Sequence, residues 1–161
     1  MDSGAVKTFI GFAGRIIVIQ VITYWLIGFI LFATGIHTMV FFQNYRDPIV
    51  ALYMQVLRPN DSLIIQAGSL FPPIRGLIFA LVLFPFRRIF IEAKYGWVYL
   101  WCLFLVLAQF STIGPGDGSL EGAIYTQLPA VYHLIVLPEG VIQTLLFSLL
   151  VVTWEEPVIY G

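Results

Sequence analysis

Ile16–Ile36 reads IIVIQVITYWLIGFILFATGI, an apolar run without one Asp, Glu, Lys or Arg. A helix needs about 20 such residues to cross ~30 Å of hydrocarbon. The run is too long for the apolar core of a cleaved signal, and no small-x-small site follows it. It is therefore expected to be a first membrane span that also serves as the insertion signal.

Working outward, three more apolar stretches follow at about 66–86, 96–113 and 131–154. The second takes in Pro72, Pro73 and Arg75, and the third is near the lower length limit. Composition agrees with lipid as the solvent. The 161 residues are 60% hydrophobic and 11% charged, with a mean hydropathy of +0.93. A soluble domain of this size carries a larger charged shell. No long Gly/Ser or Pro-rich linker divides the chain, so residues 1–161 are expected to form one integral membrane domain. The fold expected is an all-α, antiparallel four-helix transmembrane bundle.

Basic residues set the orientation. Lys7 and Arg15 precede the first span, and Arg87, Arg88 and Lys94 lie between the second and third. Arg46 and Arg58 are on the other side, each near an Asp. Both termini are thus expected in the cytoplasm, in an inner or plasma membrane. The net charge of −1 leaves no basic stripe for nucleic acid.

Two outer connections are less generic. Asp47 and Pro48 form a helix-start signal, and Ile49, Leu52, Tyr53, Val56 and Leu57 recur at helical spacing. This predicts a short amphipathic helix over about 48–58, lying on the outer membrane face. Gly114–Ser119 is turn-rich and leads into the more polar Leu120–Pro129.

Intramembrane charges are the first candidates for function, because charge at depth is costly and faces protein or water. Arg75 and Glu139 fall in the outer-to-middle zone of spans two and four, with opposite sign. They are expected to pair. The prolines beside them, Pro72, Pro73 and Pro138, free backbone carbonyls and bend helices. Such a pair can fix helix register, or act as a gate, proton relay or anion site. Gln143 lies one turn beyond Glu139, on the same face.

His37 and His133, the only histidines, end span one and begin span four. With Asp117, Glu121 and Gln143 they outline a possible outer-half site: a metal, a lipid, or a haem held axially by the two imidazoles. No metal-ligand spacing accompanies them. The lone Cys102 forms no internal disulfide, and no hydrolase, zinc-protease or phosphate-loop motif is present.

The functional expectation is a non-catalytic helical subunit or scaffold of a larger membrane assembly, with lipid and other membrane subunits or further copies as partners. Two alternatives stand beside it. One is a small oligomeric transporter or channel using Arg75 and Glu139. The other is a haem- or lipid-binding site in the outer half.

Overall fold

A computed structural model describes residues 3–34, 70–110, 118–125 and 130–160. The described residues are helical, with no strand among them. Helix α1 spans Ser3–Thr34 and α2 Phe71–Leu83. A 3-10 turn, Phe84–Phe86, leads from α2 into α3, Arg87–Glu92. Helix α4, Gly96–Leu105, continues as a π-helical segment, Val106–Phe110. A short α5, Leu120–Tyr125, precedes α6, Ala130–Tyr160.

Two helices are long and apolar enough to cross a membrane, over Gly4–Ile30 and Val136–Glu156, and Gly96–Ala108 is a shorter apolar helix. Helix α1 begins well before the apolar run at Ile16, because Ala5, Val6 and Phe9–Ala13 continue a helix that needs no lipid-grade hydropathy. The expected interfacial helix at 48–58 and the outer connection around it lie outside the described residues.

Pro72 and Pro73 occupy the first turn of α2. Expected as breaks inside a span, they start the helix instead. First-turn N–H groups have no intrahelical acceptor, so proline there removes no bond. Pro85 falls in the 3-10 turn, where the axis shifts between α2 and α3. Pro138 is accommodated within α6 without ending it.

Helix directions follow from paired contacts. Gly76 lies against Ile17 and Gln20 of α1, and a Cβ there would stand 2.7 Å from the Ile17 Cα. Further along α2's chain direction, the Phe84 ring meets Phe9 at 5.2 Å and Phe12 at 5.7 Å. Hence α2 runs antiparallel to α1. Only glycine allows the two backbones this close. On α6, Glu155 pairs with Arg15 of α1, while Gln143 lies across from Gln20, so α6 also opposes α1. The indole of Trp101 on α4 donates to the Val141 carbonyl of α6 at 3.2 Å.

One apolar core joins these helices. It contains Phe12, Ala13, Ile16 and Ile19 of α1, Ala80 and Leu83 of α2, Leu100 of α4, and Phe147, Val151 and Val152 of α6. All lie toward the chain-terminal end of α1 and α6, and that end is closed. The Arg15 guanidinium Nε donates to the Glu155 carboxylate there, with the Glu155 side chain only 3% exposed. The corner between α3 and α4 is tight: a Cβ on Gly96 would overlap the Phe90 carbonyl oxygen.

Candidate functional site

Beyond the core lies a cleft of about 340 Å³, lined by Gln20 of α1, Arg75 and Phe79 of α2, and Gly140, Gln143 and Thr144 of α6. Ala108, in the π segment after α4, completes one wall. The floor is aromatic. Phe79, Phe104 and Phe147 stand with ring centroids 5.0, 5.5 and 5.4 Å apart, in tilted and edge-to-face pairs. These rings divide the closed core from the open cleft.

Each polar group arrives there for a local reason. Gly76, one residue after Arg75, lets α2 approach α1 closely at Ile17 and Gln20, and Arg75 and Gln20 line the same cleft. Gln20 itself is 3% exposed. One turn on, the Thr23 hydroxyl donates to its own helix at the Ile19 carbonyl, 2.9 Å. Thr144 likewise donates to the Gly140 carbonyl at 2.7 Å, leaving its oxygen lone pairs to accept. Gln20 lies about 15 Å from the Ile30 end of its apolar helix, and Gln143 about 10 Å from the Val136 end, at 1.5 Å per residue.

Arg75 is exposed to this space. The ion pair formed among the described residues is Arg15–Glu155; the expected Arg75–Glu139 contact is not made. Glu139 is half-buried and engaged in a contact of its own. Arg75 instead shares a cleft with Gln143, a residue expected in the outer-half set with the histidines. Arg75 also lines a second, larger cavity of about 600 Å³ with Tyr24, Phe71, Ile74, Ile78 and Phe79.

No family model, curated protein or solved structure matches this chain.

The other candidates are built differently. His133 is buried at the start of α6, and its Nδ1 accepts the Gly118 backbone N–H at 3.3 Å. Ser119 Oγ accepts from the Gly122 N–H at 2.9 Å, so this hydroxyl caps the short α5. Glu121 is half-buried in the first turn of α5. His37 and Asp117 lie outside the described residues. Among the described residues no three His, Cys, Asp or Glu side chains gather to hold a metal ion.

Sequence reading did not place Gln20 in one cleft with Arg75, and it missed the π segment. The signal for Gln20 was present: a lone amide in an apolar run faces protein when lipid surrounds the helix. A π segment carries no such mark in the residues themselves.

Proposed function

We propose that this chain is a polytopic integral membrane protein, an antiparallel four-crossing bundle with both termini in the cytoplasm, acting as a non-catalytic helical subunit or scaffold of a larger assembly. One observation carries the lipid placement: large apolar side chains cover the outer faces of the helices. Gln20, Thr23, Ser148 and Glu155 are buried, while Ile22, Trp25, Phe29, Leu81 and Val82 are exposed. Water-soluble proteins seldom expose apolar patches of this extent, whereas lipid-facing helices do so by necessity.

The assembly role is supported by α1. Gly14 and Gly28 are exposed, with nothing within 4 Å of a notional Cβ at either. They sit two heptads apart and so lie on one side of the helix, with Val18 and Trp25 between them. Small residues at exposed positions let a neighbouring helix approach closely in lipid, where packing replaces the hydrophobic effect. Mass measurement after mild-detergent extraction tests this. Co-extraction of another membrane chain, or a multimer that Gly14→Leu dissociates, is the expected result. A stable, unaccompanied monomer contradicts it.

A second reading, a small oligomeric transporter or channel, is favoured by the Arg75 cleft at mid-depth of two apolar helices. Vesicle flux that disappears in Arg75→Gln supports it; flux unchanged in that variant removes the residue from any pathway.

A further inference from the structure

An arginine held in apolar surroundings calls for an anion, because its charge is costly at membrane depth unless it is compensated. Arg15 has one in Glu155. Arg75 has none among the described residues, and it stands in the wall shared by two cavities. On one side lie the amides of Gln20 and Gln143. On the other lies an apolar chamber between Tyr24, Phe71, Ile74 and Ile78.

We propose that this pair of cavities binds one amphiphile with an oxyanion headgroup, the headgroup on Arg75 and its hydrocarbon chain in the apolar chamber. The guanidinium presents a planar fork of N–H donors matched to phosphate or carboxylate oxygens. Gln20 and Gln143 supply further N–H donors from α1 and α6. Gln20 is 3% exposed and lines the same cleft. The chamber volume of about 600 Å³ lies within the range of small-molecule sites, roughly 300–1,000 Å³. Apart from Arg75 and the Tyr24 hydroxyl its lining is apolar, as a hydrocarbon chain requires.

The site rests on the membrane placement proposed above, and does not require flux. Full-length protein in nonionic detergent, challenged with three probes and read by native mass spectrometry, tests it. The probes are phosphatidylglycerol, diacylglycerol with the same chains, and inorganic phosphate. The expected result is one phosphatidylglycerol per chain, bound at least about tenfold more tightly than diacylglycerol, as loss of a charge-assisted contact implies. Arg75→Gln should weaken it by about tenfold, Arg75→Lys by less, and Arg88→Gln not at all. Ile78→Trp, which fills the chamber and leaves every charge in place, should lower phosphatidylglycerol binding on its own. That second variant keeps the test decisive should Arg75→Gln fail to fold.

Equal binding of phosphatidylglycerol and diacylglycerol, or unchanged binding in both variants, overturns the proposal. Displacement of the lipid by equimolar inorganic phosphate also overturns it, since that describes a free-anion site without a chain contact. Failure of the membrane placement is separately visible: the wild-type chain would then stay folded and monodisperse in buffer without amphiphile.

Discussion

Arg15 and Arg75 belong to adjacent helices, α1 and α2, that meet at Gly76. Their surroundings differ. Arg15 donates to Glu155 beside a closed core of Phe12, Ile16 and Val151. Arg75 stands in the wall of an open cleft, past the ring cluster of Phe79, Phe104 and Phe147. The first arginine is consumed by the fold: it ties the two apolar helices together at one end. The second contributes no contact to the described fold and is available to something else. The same residue type is tied into the fold where the chain supplies its counter-charge, and is the candidate for binding where it does not.

The largest effect that probes this contrast is at the closed end. Arg15→Leu should destabilise the protein by about 3–5 kcal/mol, since it strands a buried carboxylate. The double variant Arg15→Leu with Glu155→Leu should recover most of that, as followed by thermal unfolding in detergent. A single variant as stable as wild type would mean the two ends are not different in kind.

Next comes the helix contact that the two regions share. Gly76→Val places a branched side chain against the α1 backbone and should cost about 1–3 kcal/mol. It should also move Arg75 away from Gln20, so stability and lipid binding fall together. Loss of one without the other would separate the cleft from the packing proposed to form it.

Smaller effects are expected at single polar groups. Ser148 is fully buried in the closed end, and its hydroxyl oxygen has no partner among the described residues. Ser148→Ala should be neutral or stabilising, by up to about 1 kcal/mol. Trp101→Phe removes the bond to the Val141 carbonyl and should cost about 0.6 kcal/mol. Arg75→Gln should leave the unfolding temperature within error, unlike Arg15→Leu.

The contrast was only partly legible in the residues. Apolar runs reveal α1 and α6 because a lipid-crossing helix must keep one solvent preference for many turns. Arg75 and Gln143 stood out for the same reason, as polar groups where hydrocarbon is expected. The Arg15–Glu155 pair did not. A basic residue at the head of a span reads as a headgroup contact, and its partner lies 140 residues away. Depth matching would have found it, since Glu155 follows span four on the side where Arg15 precedes span one. The expected Arg75–Glu139 pair rests on that same reasoning, and the ion pair formed among the described residues is a different one. Opposite charge at similar depth permits a pair, but rotation about the helix axis decides it, and apolar runs on both sides of a helix leave that rotation unspecified.

Thiol labelling along α6 tests the closed and open ends most directly. In vesicles, on a Cys102→Ala background, Gln143→Cys and Ser148→Cys place thiols five residues apart, either side of the Phe147 ring. A small water-soluble maleimide should modify the cysteine at 143 and leave the one at 148 intact. Equal labelling of both, or labelling at 148 alone, would contradict a cleft that opens beyond the rings and a core that is sealed beneath them.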